Sequence, residues 1–378
     1  MTVLLWILAA LAVPTLLFVG WLAWVFLKEF FSPTPDTDAE EAEEAARAAS
    51  AAEAAAKLGL LPAERQNTDL SGPLPADWAA ALAAVRAGDW QPAAEVLASV
   101  GRDWERRSAV AYLLAEPAAE DDAWLLDWEA ARPGDPDAAV VRARSTVRLA
   151  WALRGAQSGR QTTREQAEGF HRTLNSAREE IARAAGLNPD DPTPYVAEIW
   201  VALGLGYPNA EMEKLWERIT ARAPHHYEAH FSALQYWCAK WRGSERLATE
   251  FAERAAAEAP QGSLLTALPL VAHFEHDESS DTDADNTPVM LVRVEAALAD
   301  AAAADPGHPR LPELRHLLAF YLHLQGRDEA ALEQFRLVDG HVNALPWRYR
   351  GNMAAYYCQV RDTVAHTVTE REAVPEHR

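Results

Sequence analysis

Apolar residues recur with helical periodicity from about Leu74 onward, and short polar turns separate the periodic segments. No run of alternating apolar and polar residues is long enough to indicate a β-sheet. The pattern therefore predicts an all-α fold for residues 74–362, in which paired helices are joined at turns near Gly204–Pro208, Gly243 and Gly326.

Prolines mark the junctions between successive helix pairs, and two of the intervals between junctions are close to the ~35 residues of a two-helix repeat. The junctions lie at Pro133, Pro189, Pro224, Pro260 and Pro306. Four of them are preceded by three apolar residues spaced four and three positions apart, which places the three side chains on one helix face. These residues are Ala177, Ile181, Ala184; Met212, Trp216, Ile219; Ala248, Ala252, Ala255; and Val294, Leu298, Ala301.

Two segments resemble the tetratricopeptide (TPR) repeat family at its small and aromatic positions. In LLAFYLHLQGRDEAALEQFRLV the matching residues are Ala319, Gly326, Ala331 and Phe335, and in AALAAVRAGDWQPAAEVLASV they are Gly88, Trp90, Ala93 and Leu97. The resemblance is degenerate and covers Ala76–Val338. It implies a right-handed solenoid of antiparallel helix pairs with a concave groove for a partner.

A longer stretch, HYEAHFSALQYWCAKWRGSERLATEFAERAAAEAPQGS at residues 226–263, resembles the uncharacterised bacterial domain family DUF4034, which carries a similar hairpin. This resemblance implies no activity. Within the hairpin, Ser244 follows the Gly243 turn and is expected to cap the next helix. Polar insertions near residues 155–169 and 275–288 are expected to form loops on one edge of the repeats.

Residues 3–27 contain no charged side chain and are long enough to cross a bilayer as one α-helix. No Lys or Arg precedes this segment, which favours an uncleaved anchor over a signal peptide. Basic residues follow it from Lys28 onward, so the positive-inside rule predicts a single-pass membrane protein with a cytoplasmic C-terminal domain. The membrane is expected to be a bacterial inner or plasma membrane, because the abundance of arginine and alanine is typical of a GC-rich bacterial genome.

The termini of the predicted solenoid are expected to differ from its repeats. Residues 28–73 form an acidic and alanine-rich linker that is predicted to be partly helical and to act as a solvated spacer. At the other end, LPWRYRGNMAAYYCQVRD predicts a terminal helix that covers the last repeat. A frayed tail is expected at residues 363–378.

The formal net charge of −21 produces a surface that repels phosphate backbones, so the composition disfavours a nucleic-acid-binding function. The two cysteines, Cys238 and Cys358, are too few and too distant in sequence to predict a disulfide scaffold. Buried free thiols are expected instead.

Three patterns in the sequence resemble parts of metal sites. The loop Asp281–Asn286 begins like a calcium loop, but it lacks the glycine and the closing glutamate that such loops need. His226 and His230 lie one helical turn apart and could ligate zinc, although no glutamate follows the first histidine. A further pair without an evident third ligand consists of His273 and His276, followed by Asp277. No metal site and no cofactor are therefore predicted.

Cys238 could act as a nucleophile only with a lowered pKa and a base within hydrogen-bond reach. Lys240 stands two residues away and would lie on another helix face, and the chain contains no GxSxG, Walker or dinucleotide-binding motif. No catalytic residue is predicted. The alternative function is a thiol- or metal-dependent hydrolase that uses Cys238 or the His226/His230 pair.

The favoured function is a non-enzymatic, membrane-anchored scaffold that binds a protein or peptide partner of unknown identity through its solenoid. Counting from the proline junctions predicts that the groove is lined by His230, Trp237, Lys240, Trp241, His316, Phe320 and His323. Trp237 and Trp241 would lie one turn apart on one helix and could anchor an extended peptide or a partner helix. Burial of both tryptophans between helix pairs is the other interpretation.

Overall fold

The computed structural model describes residues 37–155, 163–277 and 282–373 of the chain. Within these ranges the chain forms sixteen α-helices and no β-strand, which confirms the predicted all-α fold class. No helix in the same ranges is both long enough and apolar enough to cross a membrane. The predicted membrane segment, residues 3–27, lies outside them.

The helices are numbered in chain order. They are α1 (Thr37–Lys57), α2 (Ala76–Arg86), α3 (Gln91–Val100), α4 (Trp104–Glu120), α5 (Ala123–Ala131), α6 (Pro136–Arg154), α7 (Arg164–Leu187), α8 (Thr193–Leu205), α9 (Asn209–Thr220), α10 (Tyr227–Trp237), α11 (Glu245–Ala257), α12 (Leu268–His276), α13 (Pro288–Ala303), α14 (Leu311–Leu324), α15 (Asp328–Val338) and α16 (Met353–Ala373). Short turns of 3₁₀ helix also occur, including Thr282–Asn286 and Trp347–Tyr349.

Polar side chains explain where several helices begin. Oγ of Ser244 accepts a hydrogen bond from the amide of Leu247 at 3.2 Å, which confirms the predicted cap of α11. Asp103 and Thr287 cap α4 and α13 in the same way, each accepting from the amide three residues later. A cap of this kind contributes about 1 kcal/mol, because it satisfies an amide that has no partner within the helix.

The predicted apolar faces of α7, α9 and α11 are buried, apart from Trp216, which is half-buried. The buried face of α13 is rotated relative to the prediction, since Val294 and Asp300 are buried while Leu298 is only partly buried. The rotation brings the carboxylate of Asp300 to the 3₁₀ turn Leu265–Ala267 before α12, where it accepts a hydrogen bond from Oγ1 of Thr266 at 2.7 Å.

Consecutive helices pack as pairs, and the first helices of successive pairs, α2, α4, α6, α8, α10 and α12, pack one beside the next. This inner series curls back on itself, because α4 contacts α8 and α10 as well as α6. Arg107 of α4 pairs with Asp191, in the turn before α8, at 2.6 Å. Ser108 of α4 donates a hydrogen bond to Glu228 of α10 at 2.8 Å. The curl leaves a concavity at the centre of the helices.

The N-terminal strap, residues 66–75, crosses to the C-terminal part of the chain. Asn67 pairs with His341 in an isolated parallel bridge. The amide of Asn343 donates to the carbonyl of Leu70 at 3.0 Å. These backbone contacts hold the strap across one side of the concavity, so the end of the predicted linker is part of the folded structure.

Helices α1 and α16, near the two ends of the described chain, pack against each other. Ala51 and Ala55 of α1 are buried, because small side chains let the two helices approach closely. The expected spacer at residues 28–73 is therefore docked along part of its length. The tail expected at residues 363–378 starts as helix, since α16 continues to Ala373 with α1 covering its apolar side.

Candidate functional site

His316 and His230, both predicted to face a groove, are buried. Nε2 of His316 donates to the carbonyl of Ser71 at 3.0 Å, and its Nδ1 accepts from the indole of Trp347 at 3.0 Å. Burial lowers the pKa of His316 to about 3, so the imidazole is neutral at pH 7. His230 packs edge-on against Trp216 with ring centroids 4.8 Å apart, and burial lowers its pKa to about 4. Both rings are occupied by contacts inside the fold.

Trp237 and Trp241 do not share a helix face as predicted, because α10 ends at Trp237. The amide of Ser244 donates to the carbonyl of Trp237 at 3.0 Å, and a Cβ on Gly243 would lie 1.7 Å from that carbonyl oxygen. Trp241 lies in the resulting turn and packs edge-on against Trp151, with ring centroids 5.6 Å apart. Both predicted tryptophans are half-buried against the core formed mainly by α6–α10.

Lys240 and Phe320 belong to one aromatic cluster at the surface, built around Tyr349. Nζ of Lys240 lies 2.6 Å from a carboxylate oxygen of Glu275 and donates to the hydroxyl of Tyr349 at 3.0 Å. Phe274 joins the rings of Tyr349 and Phe320, with centroids 5.7 Å and 6.4 Å away. The ammonium group of Lys240 is therefore already paired.

His323 makes a different contact, since its Nδ1 is 2.9 Å from a carboxylate oxygen of Asp328 at the start of α15. The seven predicted groove residues are thus divided among buried, half-buried and surface positions. None of the seven lines the central cavity described below.

The side chains that the alternative hydrolase would use are buried or already form hydrogen bonds within the fold. Cys238 is 0% exposed, and burial raises the pKa of its thiol to about 12. Nδ1 of His226 accepts from the amide of Ala229 at 3.2 Å, and its Nε2 donates to the carbonyl of Trp104 at 3.1 Å. His230 donates from Nδ1 to the backbone of His226 at 2.9 Å. Neither nitrogen of His226 is left to bind a metal ion.

A cavity of about 470 Å³ occupies the concavity between the strap and the inner helices. We call it the central cavity. Its walls come from the strap, from α4, α8, α10 and α14, and from the loop that precedes α14. The apolar part of the lining includes Leu74, Trp78, Leu113, Trp200 and Phe231. A volume in the range of roughly 300–1,000 Å³ with a mostly apolar lining is typical of ligand sites in proteins.

Glu228 forms the charged floor of the central cavity. Its Oε1 accepts hydrogen bonds from both terminal nitrogens of Arg144 at 2.8 Å, and its Oε2 lies 3.0 Å from Arg310 and accepts from Ser108 at 2.8 Å. Burial alone would raise the pKa of Glu228, but the two guanidinium groups outweigh it and lower this pKa to about 2. The floor is therefore fully ionised and satisfied internally.

Tyr112 stands at the cavity wall with 47% of its surface exposed. The guanidinium carbons of Arg144 and Arg310 lie 5.9 Å and 5.3 Å from the centroid of its ring. These cation–π contacts stabilise the position of the ring, which remains partly exposed. A rigid, exposed tyrosine at a cavity is suited to contact a bound partner.

Arg315 also lines the central cavity, and it forms no hydrogen bond or ion pair with any residue that the structure describes. Burial lowers the pKa of its guanidinium, with no acidic group opposing that effect. Arg348 lies in the same lining and donates to the carbonyl of Asn343 at 2.8 Å, whereas its Nε is buried without an acceptor among the described residues. Arg315 thus brings donors without a partner among the described residues to a mostly apolar cavity, an arrangement that can bind a carboxylate or another small anionic group.

Arg315 was not predicted to line the groove, because counting helical positions from the proline junctions placed its neighbour His316 there instead. One signal in the sequence could have identified it, since Arg315 is the only Lys or Arg of α14. The strap was missed as well, because residues 66–73 fell in the predicted linker and no local pattern indicates that they cross to α14.

Comparison with protein-family models, with curated proteins and with solved structures found no match for this chain. The interpretation of the site therefore depends on its own geometry and chemistry.

Proposed function

We propose that this protein is a non-enzymatic scaffold that is anchored in a membrane through residues 3–27 and binds a protein or peptide partner in its central cavity. In this proposal the helix pairs form a right-handed solenoid of degenerate TPR-like repeats, and the helical part lies on the cytoplasmic side. The uncharged segment and the basic residues that follow it, from Lys28 onward, support the anchor and its orientation.

One observation carries the binding proposal: the guanidinium of Arg315 has no hydrogen-bond or ion-pair partner among the residues that the structure describes. A cationic group that is partly removed from water without an acidic partner is unfavourable in the free protein. An acidic group on a partner would relieve this cost and would form a charge-assisted hydrogen bond.

The apolar lining defines the second requirement for the partner. Leu74, Leu113 and Phe231 offer carbon surface within the same cavity as Arg315. A partner segment with an acidic residue beside a large apolar residue satisfies both requirements, because apolar burial supplies affinity and the charge pair supplies register. Tyr112 at the wall adds an exposed aromatic contact.

The thiol-dependent hydrolase is the weaker alternative, because Cys238 is buried and its raised pKa keeps the thiol protonated at neutral pH. The version that uses His226 and His230 would require breaking the hydrogen bonds that both rings make to the backbone.

Site-directed photocrosslinking tests the binding proposal. The full-length chain carrying a photoreactive phenylalanine analogue in place of Tyr112 is irradiated in its native membrane, and crosslinked proteins are identified by mass spectrometry. Arg315→Gln, which removes no hydrogen bond or ion pair among the described residues, should lower the yield of the crosslinked partner by at least about tenfold. Arg336→Gln changes an exposed arginine of α15 outside the cavity and should leave the yield unchanged.

Equal crosslinking yields in the parent chain and in both variants would contradict a role for Arg315, and the absence of any crosslinked protein would contradict the scaffold. The anchor is tested separately by deleting residues 3–27 and fractionating the cells. The deleted chain should leave the membrane fraction, and its retention there after alkaline extraction would contradict the predicted anchor.

A further inference from the structure

Two sequence patterns that are each too weak to predict a metal site, the one around His273 and the one in the loop before α13, meet at the end of α12. His273 lies on α12 and Asp277 follows its last residue, one helical turn further along, while Asp285 belongs to the 3₁₀ turn Thr282–Asn286. Nε2 of His273 is 2.9 Å from Oδ1 of Asp285 and 3.8 Å from Oδ2 of Asp277. One ligand atom from each residue lies within 4.8 Å of the other two. A metal ion about 2.0–2.2 Å from each atom needs ligand atoms at such separations.

These three side chains are largely withdrawn from solvent, with exposures of 19% for His273, 21% for Asp277 and 6% for Asp285. Two carboxylates beside one imidazole carry a net negative charge whether or not the imidazole is protonated. Arg293 of α13 pairs with Glu253 rather than with this group. A partly buried site with excess negative charge favours a divalent cation, because the cation neutralises carboxylates that burial has separated from water.

The 3₁₀ turn is held rigidly beside α12 by contacts to the end of α14. The side-chain amide of Asn286 donates to the carbonyl of Leu324 at 3.1 Å, and that of Gln325 donates to the carbonyl of Asp285 at 3.0 Å. Oε1 of Gln325 is buried and accepts no hydrogen bond from the described residues. The hydrogen bond from Gln325 fixes the backbone of Asp285, as outer partners of metal ligands often do.

His276, the other histidine of α12, is used differently. Its Nδ1 donates to the carbonyl of Ala272 at 2.8 Å, and its Nε2 accepts from the amide of Ala239 at 3.2 Å. The ring therefore holds the turn after α10 and supplies no free ligand atom. Asp285 thus takes the place of the third ligand that the sequence pattern lacked.

We propose that His273, Asp277 and Asp285 form a binding site for a divalent transition-metal ion of the Zn²⁺ type, with water completing its coordination. One imidazole with two carboxylates suits zinc and its neighbours, whereas calcium prefers six or more oxygen ligands. The bound ion joins the 3₁₀ turn to α12 and stabilises this part of the chain. The site is separate from the central cavity and does not depend on partner binding.

Isothermal titration of the chelator-treated, full-length chain with Zn²⁺ tests this site, and Co²⁺ absorption reports the coordination. The parent chain should bind one Zn²⁺ ion, with an affinity higher than that of any other histidine in the protein. The ion should also raise the Tm, because it binds the folded state. His273→Gln and Asp285→Asn should each weaken this binding at least about tenfold. Asp277→Asn, at a more exposed position, serves as a third variant if either of the others fails to fold without metal.

Two substitutions are matched controls. His276→Gln removes a histidine of the same helix, and Asp283→Asn removes a carboxylate of the same turn, and neither residue belongs to the cluster. Both should retain the affinity of the parent chain, because neither residue supplies a ligand atom to the cluster. The proposal is overturned if the parent chain does not bind Zn²⁺, or if the three cluster variants bind it as tightly as the controls.

Discussion

Arg144 on α6 and Glu228 on α10 form a buried ion pair at the centre of the helices, with both terminal nitrogens of Arg144 donating to Oε1 of Glu228 at 2.8 Å. The side chains are only 5% and 8% exposed, so the partner's opposite charge replaces the stabilisation that each group loses when it is removed from water. A pair of this kind adds little net stability over apolar packing, but it strongly penalises any arrangement that separates the partners. It therefore specifies how α6 and α10 meet beneath the central cavity.

Glu228→Gln should destabilise the fold by about 3–5 kcal/mol, because Arg144 and Arg310 then keep buried charges without an acid at this position. The free energy of unfolding in urea, followed by circular dichroism, measures the loss. Glu295→Gln is the matched control, since Glu295 pairs with Arg327 at the surface and is 61% exposed. The control should change stability by less than about 1 kcal/mol, and equal losses in both variants would show that the buried pair has no special role.

The same carboxylate should make stability depend on acidic pH. The pKa of Glu228 is lowered from 4.5 to about 2 in the folded chain, so the unfolded chain takes up a proton first as the pH falls. The stabilisation is complete above pH 4.5 and is lost as the pH falls toward about 2. Urea unfolding at several pH values should show that the difference between the parent chain and Glu228→Gln shrinks in this window. A constant difference would argue against the lowered pKa.

Buried neutral histidines should add a second pH dependence at higher pH. The pKa of His316 is lowered from 6.5 to about 3, so protons bind preferentially to the unfolded chain below pH 6.5 and stability falls from there. His316→Leu should lose about 1–3 kcal/mol at pH 7.5, because the indole of Trp347 loses its acceptor.

The variant should also show a smaller loss of stability than the parent chain between about pH 6.5 and pH 4. His171→Gln, at an exposed position of α7, should affect neither quantity. If stability falls with pH as steeply in His316→Leu as in the parent chain, the assignment of this pH dependence to His316 is wrong.

Neither thiol should react in the native protein. Burial raises the pKa of Cys238 to about 12 and that of Cys358 to about 11, so both remain protonated at pH 8. Iodoacetamide should leave the native mass unchanged and should add two groups after unfolding in urea. Rapid native modification of Cys238 would contradict its burial and would revive the hydrolase hypothesis.

The turn between α10 and α11 should tolerate no side chain at Gly243. Gly243→Ala places a Cβ against the carbonyl oxygen of Trp237, only 1.7 Å away in the unrelaxed backbone, and should cost at least about 2 kcal/mol. Gly186→Ala is the matched control, because Gly186 lies in α7 with no atom within 4 Å of the added Cβ. It should stabilise the protein by up to about 1 kcal/mol. Thermal unfolding of the two variants therefore distinguishes the steric cost at Gly243 from the gain in helix propensity at Gly186.

The features that depend on nearby residues were predictable. The cap of α11 by Ser244 and the buried face of α7 follow from side chains within one or two helical turns, and the structure has both. The periodic pattern gave a wrong prediction at the end of α10, where it continues past the end of the helix. Trp241 continues the spacing of α10, but the Gly243 turn ends that helix at Trp237, because close backbone packing at a glycine outweighs the periodic signal.

Local sequence thus determined the helical fold class, the positions of most turns and caps, and the apolar faces that must be covered. Long-range packing determined which polar groups share one environment: Glu228 with Arg144 and Arg310, Arg315 with the strap, and His273 with Asp285. The physical reason is that helix formation and capping depend on hydrogen bonds within a few residues, whereas the curl that brings α4 to α10 depends on the summed packing of many side chains.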